Sequence, residues 1–218
     1  MLATAPDTGR VQVKICGITN PADAEMAIAL GADMLGFNFH PGSARCLELR
    51  EARTWLRELP ASVRKLAVLV NQPALGREIY DERLVDTLQL HGDEDAAACA
   101  ELHAAGVPFV KALRVRDAST LAAPERFHTA EILLDAFHPD SYGGTGSSFD
   151  WSLAERFVAA HPTLRVILSG GLTPENVAVA VRQVRPYAVD VASGVEAADD
   201  PRRKDPARLR GLIDAVRG

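Results

Sequence analysis

Val11-Gln12-Val13-Lys14-Ile15-Cys16 alternates apolar and polar side chains, and Gly17-Ile18-Thr19-Asn20-Pro21 then leads into a helical stretch. Period-two alternation marks a β-strand. Asparagine followed by proline marks a helix start, with Asn20 as cap and Pro21 at the first helical position. The unit then repeats. Apolar, β-rich runs at residues 11–16, 34–39, 65–70, 86–91, 109–113, 131–135, 165–169 and 188–193 are each followed by a helix-like segment. Thr173-Pro174 repeats the start signal, and Gly31 and Gly106 stand where helices should end. Strands alternating with helices imply parallel strands joined by right-handed crossovers. Eight such units without a break in composition predict an α/β chain closed into a single (β/α)8 barrel, the TIM-barrel arrangement. The barrel is expected over residues 11–218, after a flexible N-terminal extension at residues 1–10.

Strand parity then points to a site. Alternate residues of a barrel strand face the interior and the helix layer. On the first strand Val11, Val13 and Ile15 suit the helix layer, which turns Gln12, Lys14 and Cys16 inward. The same reading places Gln89, His91, Lys111, Asp135 and Asp190 inward. Most of them lie near the C-terminal ends of their strands, the face on which barrel enzymes carry active sites. A salt bridge between Lys14 and Asp190 is the structural alternative for those two, because buried charges are usually paired.

Ser169-Gly170-Gly171-Leu172-Thr173-Pro174 leaves the seventh strand and Ser193-Gly194-Val195 leaves the eighth. Loops at these places commonly bind phosphate through backbone N–H groups. The third cluster, Tyr142-Gly143-Gly144-Thr145-Gly146, sits in a long loop after Asp135 and reads as a lid. Asp150 reads as the cap of the following helix.

Composition excludes other classes. A net charge of -5 argues against a nucleic-acid partner, whereas a phosphorylated small molecule leaves no mark on net charge. No apolar run approaches a membrane span, and residues 1–10 do not read as a signal peptide. Three cysteines, Cys16, Cys46 and Cys99, without a C-x-x-C pair fit a reducing, cytoplasmic setting. Neither metal nor cofactor is expected, and the sequence leaves the oligomeric state open.

The motifs together resemble one family over the chain from Val11 onward. Lys14-Ile15-Cys16-Gly17-Ile18-Thr19 is similar to the opening signature of the phosphoribosylanthranilate isomerases. Leu88-Gln89-Leu90-His91-Gly92-Asp93, Lys111-Ala112-Leu113-Arg114, Leu134-Asp135-Ala136, Ser169-Gly170-Gly171-Leu172-Thr173-Pro174-Glu175-Asn176 and Ser193-Gly194-Val195-Glu196 follow in order. The resemblance implies an Amadori rearrangement of N-(5'-phosphoribosyl)anthranilate in tryptophan biosynthesis. It assigns the general base to Cys16 and the general acid to Asp135. It gives Arg45 to the anthranilate carboxylate, His91 and Asp190 to substrate positioning, and the phosphate to the amides of Gly170, Gly171, Ser193 and Gly194. A base at Cys16 calls for a nearby cation such as Lys14 to lower the thiol pKa. An acid at Asp135 calls for burial or a neighbouring charge to keep its proton.

Several positions depart from the family pattern. Ser147 and Ser148 stand where a basic residue is frequent, Ala44 and Cys46 flank Arg45 in place of proline and tyrosine, and Asn38 replaces a small apolar residue. Three rival readings remain. The related histidine-pathway isomerase is expected to carry aspartate at position 16. A metal-dependent pentose-phosphate epimerase needs two histidines and two carboxylates, and of the histidines only His91 is well placed; His40, His103, His128, His138 and His161 are not. A non-catalytic phosphate-binding barrel would not need both Cys16 and Asp135.

Overall fold

A computed structural model of the chain describes residues 9–137 and 149–218. Eight parallel strands close into a barrel in chain order: β1 (Gln12–Cys16), β2 (Met34–Asn38), β3 (Arg64–Leu69), β4 (Thr87–Leu90), β5 (Phe109–Val115), β6 (Glu131–Ala136), β7 (Arg165–Leu168) and β8 (Ala188–Val191). β1 pairs with β8, with Lys14 opposite Asp190, and this pairing closes the ring. Around it run α1 (Pro21–Leu30), α2 (Leu49–Glu58), α3 (Pro73–Asp81), α4 (Ala96–Ala104), α5 (Trp151–Ala160), α6 (Val177–Val184) and α7 (Pro206–Arg217). No helix among the described residues is long and apolar enough to cross a membrane.

Local chemistry accounts for most boundaries. Asn20 caps α1 by accepting a hydrogen bond from the Asp23 N–H, with Pro21 at the first position, and Gly31 ends the helix in the left-handed conformation. Asp150 caps α5 as expected. Gly106 takes a positive φ one residue beyond the Ala105 cap of α4. Thr173-Pro174 does not open α6, because Asn176 takes the capping position three residues later and ties the preceding turn through the Thr173 N–H. Between β5 and β6 the crossover contains two 3-10 turns, Ala118–Leu121 and Pro124–Phe127, instead of an α-helix. Asp117 caps the first and Pro124 opens the second.

The main core lies between the sheet and the helices. Ile15, Leu35, Phe37, Leu56, Ile79, Leu84 and Leu134 are all buried there, each contributing about 1.5–3 kcal/mol by leaving water. A second apolar cluster fills the barrel itself: Met34, Leu66, Val110, Ala112, Leu133, Ile167 and Ala188. Below it Arg64 donates to Glu131 at 2.8 Å and to Thr87 at 2.9 Å, closing the N-terminal end. Above it the interior turns polar. Past β8 the chain adds a two-stranded antiparallel hairpin, β9 (Glu196–Ala197) and β10 (Asp200–Lys204).

Candidate active site

The inward faces at the C-terminal end of the barrel bring together side chains from β1, β4, β6 and β8. Cys16 ends β1 and lies one residue pair above Lys14, which is fully buried and donates to Asp190 Oδ1 at 2.8 Å. Cys16 pairs in register with Gly36 on β2. A β-carbon added at Gly36 would sit 2.8 Å from Cys16 Sγ and 3.0 Å from Lys14 Nζ, so glycine there makes room for both groups. Burial pushes the Cys16 thiol above its ordinary pKa; Lys14 and Lys204 oppose that rise and Asp190 adds to it. Lys14 therefore pulls in the expected direction, but burial outweighs it.

Asp135 enters the mouth from β6, three strands round the barrel from β1 by way of β7 and β8. Its Oδ1 accepts from the Ala136 N–H at 2.9 Å, and its Oδ2 lies 3.2 Å from His91 Nε2. His91 Nδ1 in turn lies 2.9 Å from the side-chain nitrogen of Gln89. Gln89 Oε1 is buried and has no hydrogen-bond partner among the described residues.

Two glycine-bearing loops border this mouth. After β7, Gly170 has φ +89, and a β-carbon on it would press against the Ala136 amide at 2.8 Å. After β8 the chain turns through Ser193–Val195. The N–H groups of Gly170 and Gly171 take no part in the backbone hydrogen-bond network of the described residues. Those of Ser193 and Gly194 open a helical turn, where N–H groups lack intrahelical partners. Next to the β8 loop Arg45, from the loop after β2, lays its stem over Gly17 and pairs with Glu196 at 2.5 Å and 2.8 Å.

Residues 13–215 match the family model described as N-(5'phosphoribosyl)anthranilate (PRA) isomerase. The chain belongs to the N-(5'-phosphoribosyl)anthranilate isomerase family. The isomerase of Chromohalobacter salexigens is 46% identical over 95% of this chain and 94% of its own length. The crystal structure of the Thermotoga maritima isomerase superposes with a TM-score of 0.85 at 37% identity, covering 95% of this chain and 99% of that one. A further crystal structure, of a phosphoribosylanthranilate isomerase in complex with reduced 1-(o-carboxyphenylamino)-1-deoxyribulose 5-phosphate, superposes with a TM-score of 0.81 at 36% identity over 95% of this chain and 99% of that chain. This chain is accordingly a tryptophan-biosynthetic isomerase with the family's barrel.

The structure places Cys16, His91, Asp135 and Asp190 at the barrel mouth, with Gly170, Gly171, Ser193, Gly194 and Arg45 around it. Lys111 does not face inward. Register settles this: Gln89 pairs with Val110 and Leu90 with Lys111, so Val110 shares the interior face and Lys111 the outer one. Its ammonium folds up to the Gly92 carbonyl at 2.8 Å and Glu94 at 2.9 Å. Sequence reasoning named no role for Arg114, which takes the inward place beside Asp135 in register, nor for Glu196, Arg202 and Lys204 of the hairpin. The signal was their place in family-like motifs, Arg114 in Lys111-Ala112-Leu113-Arg114, Glu196 in Ser193-Gly194-Val195-Glu196 and Lys204 in Lys204-Asp205, whereas Arg202 had none. The loop Tyr142-Gly143-Gly144-Thr145-Gly146, with His138, Ser147 and Ser148, lies outside the described residues, as do residues 1–8. Among the described residues no three of His, Cys, Asp or Glu converge as a metal-binding set.

Proposed function

We propose that this isomerase converts N-(5'-phosphoribosyl)anthranilate to 1-(2-carboxyphenylamino)-1-deoxyribulose 5-phosphate with Asp135 as general acid and Cys16 as general base. The observation that carries this reading is the placing of Cys16 and Asp135 at strand ends on separated sides of one polar mouth, with the glycine loops of β7 and β8 beside it. The ligand held by the solved relative has an aromatic carboxylate, an open-chain sugar and a phosphate. Arg45, the polar mouth and the amides of Gly170, Gly171, Ser193 and Gly194 suit those three groups in turn.

In the first step Asp135 gives its proton to the furanose ring oxygen, the C1'–O bond breaks and an iminium forms at C1'. Cys16 thiolate then removes the C2' proton, and the electrons of that C–H bond neutralise the iminium as an enolamine. Tautomerisation yields the ketone. Lys14, beside Cys16, stabilises the thiolate, and Asp190 holds Lys14 in place and faces the sugar hydroxyls. His91 orients Asp135. With the Gln89 NH2 donating to Nδ1, the ring proton is on Nε2 and faces Asp135. Turning the Gln89 amide over sets its unpartnered oxygen against Nδ1–H instead. A thiol base and three cysteines without a disulfide support a reducing, cytoplasmic setting.

The pH dependence tests the base. Because the Cys16 pKa is raised, the thiolate is the minor form at neutral pH. Iodoacetamide alkylation of Cys16 reads the thiolate alone and should rise about tenfold per pH unit up to and past the ordinary thiol range. Turnover needs Asp135 protonated as well as Cys16 ionised, so kcat/KM follows the product of the two fractions and is bell-shaped. Lys14→Met removes a cation that lowers the thiol pKa and should move the alkylation curve to still higher pH. An alkylation curve that titrates on the acid side of neutrality, or one that Lys14→Met leaves in place in a folded variant, contradicts the Lys14-assisted thiolate on which Cys16 as the base depends.

A further inference from the structure

The β9–β10 hairpin reaches back to the loop after β2 and holds Arg45 at three points. Glu196, on β9, accepts from both Nε and NH2 of the Arg45 guanidinium, at 2.5 Å and 2.8 Å. Arg202, on β10, donates to the backbone carbonyls on either side of Arg45, Ala44 at 3.1 Å and Cys46 at 2.9 Å. The hairpin is itself anchored. The Thr19 hydroxyl donates to the Arg202 carbonyl at 2.5 Å, and the Lys204 N–H donates to Asp23 at 2.9 Å. Beneath the guanidinium, Gly17 leaves no side chain in the way, since a β-carbon there would stand 2.5 Å from Arg45 Cδ.

A guanidinium is a planar fork of five N–H donors with two edges, each able to engage a carboxylate in parallel hydrogen bonds. Glu196 occupies the edge formed by Nε and NH2. The end-on edge, NH1 with the second hydrogen of NH2, is left over, and NH1 donates no hydrogen bond among the described residues. Charge is arranged to match. Glu196 Oε1 also accepts from the fully buried Lys204 ammonium at 3.1 Å. Burial works to raise the Glu196 pKa, but Arg45 and Lys204 outweigh it and hold the carboxyl below its ordinary value. Burial lowers the Lys204 pKa and Glu196 opposes that lowering; with Lys204 protonated, two cations share one anion and the cluster carries one net positive charge although Arg45 already has a carboxylate partner. An arginine tied to glutamate alone would be neutralised and a poor anion receptor.

We infer that the β9–β10 hairpin is the positioning device for substrate recognition: Glu196 and Arg202 fix Arg45 so that its end-on edge receives the aromatic carboxylate, and Lys204 keeps the cluster cationic. Glu196 acts through Arg45 and is a positioning residue. This rests on the reading of Arg45 as the carboxylate receptor given above.

The test compares two ligands on the full-length chain, the reduced product analogue and its counterpart lacking the ortho carboxylate. In the wild-type protein the carboxylated analogue should bind more tightly. Glu196→Gln replaces one acceptor oxygen by an NH2 that opposes the guanidinium, and should weaken the carboxylated analogue about tenfold while leaving the other unchanged. Its effect on turnover should fall on KM more than on kcat. In an Arg45→Ala background Glu196→Gln should add nothing further. Arg202 is exposed, and Arg202→Ala supplies a second variant free of any buried charge, with an expected loss of about threefold for the carboxylated analogue only. Equal weakening of both analogues overturns the inference, as does a Glu196→Gln loss that persists without Arg45. Discrimination that disappears in Arg45→Ala but survives in folded Glu196→Gln and Arg202→Ala overturns the hairpin's role and leaves Arg45 as the receptor. A wild-type protein that binds both analogues equally defeats the Arg45 reading and the hairpin inference together.

Discussion

Asp135→Asn and Cys16→Ala should each lower kcat by about 10²–10⁴-fold, equivalent to about 3–5 kcal/mol of transition-state stabilisation. Asparagine keeps the shape of Asp135 and can still face His91 Nε2 and the Ala136 N–H. It has no proton to give to the furanose oxygen, so ring opening falls to water. Alanine at position 16 removes only the sulfur at a partly exposed strand end, and with it the acceptor for the C2' proton. Both variants should unfold within a few degrees of the wild type, because neither leaves a large cavity. The two groups act in successive steps of one sequence, so the double variant should lose far less than the product of the single losses. Steady-state turnover measured with thermal unfolding checks this. Either variant retaining more than a tenth of wild-type kcat removes that residue from its proposed role.

The second large effect is expected at Gly194, where space is the argument. A β-carbon built there would collide with the Leu172 carbonyl oxygen and lie 3.1 Å from Val191 Cγ1. The obstacle is backbone, from the loop after β7, so no side-chain rotation relieves it. Gly194→Ala therefore has to move the β8 loop away from the β7 loop, and these two loops carry the proposed phosphate amides. Hydrogen bonds to a charged group contribute about 1.5–3 kcal/mol each, so displacing one or two should raise KM by about 10²-fold with a smaller change in kcat. Overpacking should also cost about 1–3 kcal/mol of stability. Titration with inorganic phosphate separates the two effects: a folded variant that binds phosphate as the wild type does would show that the anion sits elsewhere.

The barrel was legible in the sequence because its cause is local. Alternation on β1 and the cap at Asn20 depend on neighbours in the chain, and each was realised. The polar interior was legible for Lys14, Cys16, Asp135 and Asp190, whose flanking residues are apolar. Lys111 was misread for a physical reason. Its facing depends on the pairing of β5 with β4, a register set by the closed ring and invisible along either strand. The hairpin escaped altogether. Residues 196–204, Glu-Ala-Ala-Asp-Asp-Pro-Arg-Arg-Lys, are short, charged and interrupted by proline, with no strand pattern. Contacts with distant residues hold that hairpin, among them the Arg45–Glu196 pair, separated by 151 positions. Resemblance pointed to Arg45; only the folded chain shows what orients it.

The most direct test of the central claim follows the anthranilate-type fluorescence of freshly generated N-(5'-phosphoribosyl)anthranilate on adding the purified wild-type protein, with a chelator present. The account predicts rapid loss of that fluorescence, well above the spontaneous rate and unaffected by the chelator. Decay no faster than the spontaneous rate in a properly folded protein would contradict it.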